Sequence, residues 1–124
     1  LSGNGETILL VDDEDLIRNV TEDILQTYGY NVILAKNGAE AIQLYTNNQD
    51  RINLVITDTM MPVMGGIELM GILRNMNPTI RFIAASGVMQ SDSAKVLYAA
   101  GAKAILLKPF TVDKLLNAIR EVLE

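Results

Sequence analysis

The sequence predicts a three-layer α/β domain, a doubly wound sheet of five parallel strands with helices on both faces. Short apolar runs alternate five times with segments of helical period, and the loops between them are short. The 124 residues suffice for one ordinary domain and leave no room for a second core of useful size.

The apolar runs are residues 8–11, 32–35, 54–57, 80–85 and 104–107, each near-continuously apolar, the pattern of strands covered on both faces. After the first run, Leu16, Ile17, Val20, Ile24, Leu25 and Tyr28 recur at helical offsets that stack on one face before Gly29 ends the helix. A second helix over 39–48 follows the Asn37-Gly38 turn, and a third over 66–76 stops before Pro78. The fourth, over 91–100, is rich in Ala and weakly periodic. The last sets Val112, Leu115, Leu116, Ile119, Val122 and Leu123 on one face, with Thr111 placed to cap it.

Composition excludes several chemistries. Ten basic against fifteen acidic residues give a net charge of −5, the wrong sign for a broad nucleic-acid footprint, so no direct nucleic-acid partner is expected. With no Cys and no His the chain has no thiolate nucleophile, no Ser-His-Asp triad and no Cys/His zinc site. No stretch approaches the ~18 apolar residues of a membrane span, and no signal pattern opens the chain. The expectation is a cytoplasmic domain without membrane contact. Starting at Leu1, it reads as a piece of something longer, with residues 1–5 as linker or remnant and 6–124 as the domain.

In an open parallel sheet, ligands bind past the carboxyl ends of the strands, where the strand order reverses. The residues there are Asp12 and Asp13, Asn37, Asp58, Ser86 and Lys108. If the first and third strands are neighbours, three carboxylates converge. Two unit charges ~4 Å apart at an effective dielectric of about 20 repel by roughly 4 kcal/mol, so a counter-cation is needed. Lys108 supplies one charge, and a divalent ion with oxygen-only ligands, Mg²⁺, supplies the rest.

Each residue taken singly has a plainer reading. Asp13 reads equally as an N-cap, Asp58 as a loop cap, Ser86 before Gly87 as turn chemistry and Lys108 as a solvated charge. Together their charges balance only when a metal and an anion are added.

The stretch ILLVDDE (residues 8–14), then Asp58-Thr59-Met60-Met61-Pro62-Val63-Met64-Gly65-Gly66, then Ala85-Ser86-Gly87, then Lys108-Pro109-Phe110, resembles the receiver domain of bacterial two-component response regulators in order and spacing. The resemblance spans nearly the whole chain. It implies the flavodoxin-like (CheY-like) strand order 2-1-3-4-5. It implies Asp58 as phosphoacceptor, Mg²⁺ held by Asp12, Asp13, Asp58 and the backbone carbonyl of Met60, and Ser86 and Lys108 on the phosphoryl group. It also implies a cis peptide before Pro109. A carboxylate oxygen would attack phosphorus in line while cations neutralise the transferring oxygens.

The donor is expected to be a histidine kinase or histidine phosphotransfer domain, because this chain has no His of its own. Its chemistry would end at its own aspartate, so the isolated domain is not a conventional enzyme. Homodimerisation is open. The opening GETILLVDDE is similar to receivers behind the kinase core of hybrid sensor histidine kinases, with a stand-alone regulator as the alternative.

Switching would move the face formed by the fourth helix, fifth strand and fifth helix. The sequence departs from the family's aromatic switch by placing Ile105 three residues before the lysine, so Val88 and Tyr98 are the other candidates there. Apolar Met60 and Val88 flank the site without a group to orient water, which favours a long-lived phosphoaspartate.

Three other readings stand against this one. A flavodoxin-like FMN protein needs a hydroxyl- and glycine-rich loop where this chain has Asp12-Asp13-Glu14-Asp15, which repels an anion. A haloacid dehalogenase-type phosphohydrolase takes its nucleophile from the end of the first strand, whereas Asp58 on the third has the richer motif. A pseudo-receiver would bind partners without phosphorylation, yet all five polar positions are filled.

Overall fold

The computed structural model describes residues 3–87 and 93–124. The elements alternate as β1 (Thr7–Val11), α1 (Asp15–Thr27), β2 (Asn31–Ala35), α2 (Gly38–Asn48), β3 (Ile52–Asp58), α3 (Gly66–Met76), β4 (Phe82–Ser86), α4 (Ser93–Ala100), β5 (Ala102–Leu107) and α5 (Val112–Leu123). The strands are all parallel, in the order β2-β1-β3-β4-β5. No helix among the described residues is long and apolar enough to cross a membrane.

Strand alternation divides the interior into two layers. Ile8, Leu10, Leu54, Ile56, Ile83 and Leu106 face Leu25 of α1 and Leu115, Leu116 and Ile119 of α5. Leu9, Val11, Val55, Phe82 and Ala84 point the other way, onto Ala41 and Tyr45 of α2, Leu69, Met70 and Leu73 of α3, and Leu97 of α4. Each fully buried Leu or Ile contributes roughly 1.5–3 kcal/mol of transfer free energy, so both layers are needed to hold the sheet.

Three expectations are corrected. Strand β4 begins at Phe82 rather than at residue 80, because the Asn77 side chain takes the Thr79 N–H and Ile80 N–H bonds back to the Asn77 carbonyl, closing a turn first. The outer strands β2 and β5 are partly exposed rather than covered on both faces, since each is an edge with one neighbour. The apolar face of α1 is split: Thr21 and Leu25 point inward, while Leu16 is 76% and Val20 50% exposed. A helix on a sheet edge buries a narrower stripe than its apolar periodicity covers.

Helix α1 ends at Gly29, whose φ of 92° needs a residue without a Cβ. The preceding lead-in lies on this turn, with Gly3 N–H bonded to the Tyr28 carbonyl and Gly5 N–H to that of Gly29. Arg120 of α5 pairs with Glu6 at 2.8 Å just before β1.

Val63 is the described non-glycine residue with positive φ, 70°, in a tight turn closed by Met64 N–H on the Pro62 carbonyl. A β-branched residue is strained there, and Val63 is fully exposed, so no packing repays the strain. Val63→Gly is expected to stabilise the domain by roughly 0.5–1 kcal/mol after the added entropy cost of Gly, lifting the thermal midpoint by a few degrees. A midpoint that stays or falls in circular dichroism melts would show that the turn stores no strain.

Candidate functional site

The sheet register builds the site. Val11 pairs with Thr57, so the residues that follow them, Asp12 and Asp58, come level on adjacent strands. Asp58 pairs with Ala85, which sets Ser86 beside it at the end of β4. Ser86 in turn pairs with Leu107, and the next residue, Lys108, donates its backbone N–H to the Ser86 carbonyl at 2.8 Å. Four separate strand ends converge, as expected for the crevice of a doubly wound sheet.

Asp12, Asp58 and Ser86 are each about 95% buried. The Lys108 ammonium lies 2.9 Å from Asp12 Oδ2 and 3.3 Å from Asp58 Oδ2, bridging the two carboxylates. Their other oxygens are also engaged: Asp12 Oδ1 accepts the Glu14 N–H at 2.9 Å and Asp58 Oδ1 the Met60 N–H at 3.3 Å. Gly66 opens α3 directly against this strand end, where a Cβ would collide with the Asp58 carbonyl oxygen.

Burial pushes the Asp58 carboxyl above the ordinary carboxylate value, and Asp12 adds to the rise. The Lys108 charge and the Met60 N–H oppose it without cancelling it. For Lys108, burial disfavours the ammonium, but hydrogen bonding and attraction from Asp12 and then Asp58 outweigh it, so its pKa lies above 10.5. The lysine gains from the pair, whereas Asp58 bears a net burden.

One oxygen each of Asp12, Asp13, Glu14 and Asp58 lie within 4.8 Å of one another. This all-oxygen, strongly anionic set, against one lysine, suits a hard divalent cation, and each carboxylate oxygen keeps a lone pair beyond its hydrogen bond. The residues fit Mg²⁺.

Asp13 does not cap α1; Glu14 occupies that position and makes no capping bond with its side chain. Asn37 is a cap, its Oδ1 accepting the Glu40 N–H at 2.8 Å, and it stands apart from the carboxylate cluster. The Lys108–Pro109 peptide is cis. Met60 leaves its side chain 75% exposed at the rim. Ile105 packs half-buried against the layer under α2, α3 and α4, and Tyr98 on α4 is 52% exposed. Val88 lies outside the described residues.

Sequence reasoning missed two members of this neighbourhood. Glu14, read only as part of a motif, joins the cluster through its exposed side chain. Arg18, one turn into α1, turns its guanidinium back to the Asp12 carbonyl at 2.7 Å. A cation in the first turn of a helix opposes the helix dipole, and that misplacement was the signal available.

A family model described as the response regulator receiver domain matches residues 8–120. The chain is 37% identical over its whole length to the sensor kinase CckA of Brucella abortus, of which it spans 13%. It is 35% identical to the chemotaxis protein CheY of Bacillus subtilis, over 94% of this chain and 96% of that one. Among solved structures, a response regulator receiver domain protein from Clostridium thermocellum superposes with a TM-score of 0.89 at 29% identity, covering 99% of this chain and 94% of that one. CheY in a CheX–CheY–BeF3–Mg²⁺ complex from Borrelia burgdorferi gives 0.91 at 28% identity, over 95% and 89%.

Proposed function

The chain belongs to the response regulator receiver domain family, and on that premise we propose that Asp58 accepts a phosphoryl group from a phosphohistidine of a histidine kinase or phosphotransfer partner. The observation that carries this reading is the Lys108 ammonium held between the buried Asp12 and Asp58 beside Ser86.

Mg²⁺ is the cofactor of this reading, held by Asp12, Asp13, Asp58 and the Met60 carbonyl, and bound there it supplies positive charge to the transferring oxygens. An Asp58 oxygen attacks phosphorus in line, forming the O–P bond as the bond to the donor imidazole nitrogen breaks. Lys108, charged throughout neutral pH, draws a phosphoryl oxygen, and the Ser86 hydroxyl donates a hydrogen bond to another. Both then shift, which repositions the face of α4, β5 and α5, where Tyr98 and Leu107 are exposed. With Ile105 half-buried at the position three before Lys108, no aromatic flip is available there, and Tyr98 on α4 is the described candidate to carry the change.

The donor's docking place is the groove of about 570 Å³ that opens on Lys108 and is lined by Leu16, Ile17, Val20, Pro109 and Phe110. Its exposed Leu16 and Val20 belong to the apolar face that the helical periodicity marked on α1. Similarity along the whole chain to one segment of a sensor kinase supports a place within a hybrid histidine kinase.

Acetyl phosphate with Mg²⁺ should add one phosphoryl group by intact mass, removed by hydroxylamine and prevented by EDTA. Leu16→Glu should leave that labelling intact while slowing transfer from a phosphohistidine donor at least tenfold, about 1.4 kcal/mol at the transition state. Transfer from the donor at the wild-type rate would move the docking place elsewhere. No labelling from acetyl phosphate or from any histidine donor would leave the pseudo-receiver reading in its place.

A further inference from the structure

We propose that Arg18 is a positioning residue that fixes the β1–α1 loop so that Asp12 and Asp13 present their oxygens to Mg²⁺. This rests on the metal reading above and names what holds that site in shape. Arg18 lies in the first turn of α1, where a cation is disfavoured by the helix dipole, yet its side chain is only 12% exposed. Its guanidinium is not spent on solvent. Nη1 donates to the Asp12 carbonyl at 2.7 Å, and Nη2 contacts Asp15 Oδ1.

One planar fork therefore grips both ends of the four-residue segment from Asp12 to Asp15 that contains three members of the acidic cluster. Among the described residues no other side chain bonds both ends of this segment, and Glu14 at the N-cap makes no side-chain capping bond. Asp12 itself is anchored by its N–H on the Ala35 carbonyl and by Lys108 on Oδ2, and Glu14 N–H bonds Asp12 Oδ1 within the loop, but none of these reaches from Asp12 to Asp15. A lysine cannot reproduce the grip, because its single nitrogen lacks the two-pronged geometry.

Positioning and charge make opposite predictions. As a nearby positive charge, Arg18 repels Mg²⁺, and removing it would tighten binding. As a clamp, it holds the loop to the near-ideal octahedral geometry that Mg²⁺ demands and the larger Ca²⁺ does not. Removing it would then weaken Mg²⁺ binding and erode the preference over Ca²⁺.

The test is calorimetric titration of wild type, Arg18→Lys and Arg18→Ala with Mg²⁺ and with Ca²⁺, alongside melts in metal-free buffer. The expected result is a loss of about tenfold or more in Mg²⁺ affinity in both variants, with a smaller loss for Ca²⁺, so that the ratio of the two constants falls. Wild-type affinity in Arg18→Lys, or tighter Mg²⁺ binding in Arg18→Ala, would overturn the proposal in favour of charge alone. Equal losses for both ions together with a lower melting midpoint would reduce Arg18 to a stabilising contact. Should Arg18→Ala fail to fold, Arg18→Lys, which keeps the charge and the aliphatic stem, decides the matter alone. If wild type itself binds no Mg²⁺, the metal reading falls and takes this one with it, an outcome distinct from variants that match a binding wild type.

Discussion

Asp58→Asn is expected to gain no phosphoryl group from acetyl phosphate in Mg²⁺ and, at the same time, to melt higher than wild type. The first effect removes the only proposed nucleophile. The second follows from the direction of the Asp58 pKa, raised chiefly by burial. A carboxyl whose folded pKa lies above its unfolded value costs stability wherever it is ionised, and costs nothing below the unfolded value near 3.8, where both states hold the proton. Asparagine keeps the shape and can still accept the Met60 N–H while dropping the charge. The gain at pH 7 should be roughly 0.5–2 kcal/mol, the usual scale for relieving a strained functional site, and about 2–8 °C in a domain of this size. It should fade as the pH falls through the folded value and vanish below the unfolded value near 3.8. An Asp58→Asn chain that still acquires one phosphoryl group, or that melts below wild type at neutral pH, contradicts the placement of this carboxylate.

Lys108→Met acts in the opposite direction. It leaves Asp12 and Asp58 facing each other across adjacent strands, both buried, without the ammonium that now bridges them. Breaking a buried pair costs about 3–5 kcal/mol in a sealed interior; because Lys108 lines an open groove at the carboxyl end of the sheet, the expectation is on the order of 2 kcal/mol, about 5–10 °C. The pH dependence is specific. The lysine's folded pKa exceeds 10.5, so its stabilising share is complete below 10.5 and is lost as the pH climbs through the folded value. The gap between wild type and Lys108→Met should therefore be wide at pH 7 and close above pH 10.5. Mg²⁺ should narrow it at pH 7 by restoring positive charge to the cluster. A gap that persists unchanged into strong alkali would mean that packing of the lysine stem, not its charge, is what the variant removes.

Most of the fold was legible because each apolar run and each helical face is a local pattern, repeated five times. The alternation of Ile8 and Leu10 with Leu9 and Val11 already implies two covered faces, and Gly29, Asn37 and Thr111 mark helix ends by their own chemistry. What periodicity could not show is how wide a stripe the neighbours cover. Leu16 and Val20 have the same residue types and spacing as core positions, and only the extent of the sheet beneath α1 leaves them in solvent. Ile80 reads as strand for a similar reason: its apolar character is real and it is buried, but Asn77 holds it in a turn.

The candidate site was legible as a set of residue types at strand ends, with charges that do not balance alone. The sequence by itself determined that the chain is an α/β domain with aspartates, a serine and a lysine past its strands, and that His, Cys and broad cationic chemistry are absent. Only the tertiary structure decided that Lys108 bridges Asp12 and Asp58, that Glu14 joins their cluster, and that Arg18 grips the loop between β1 and α1. Lys108 lies 96 residues from Asp12 along the chain. Its contact depends on strand order and register, which are properties of the whole sheet, whereas periodicity and capping are decided within a few residues.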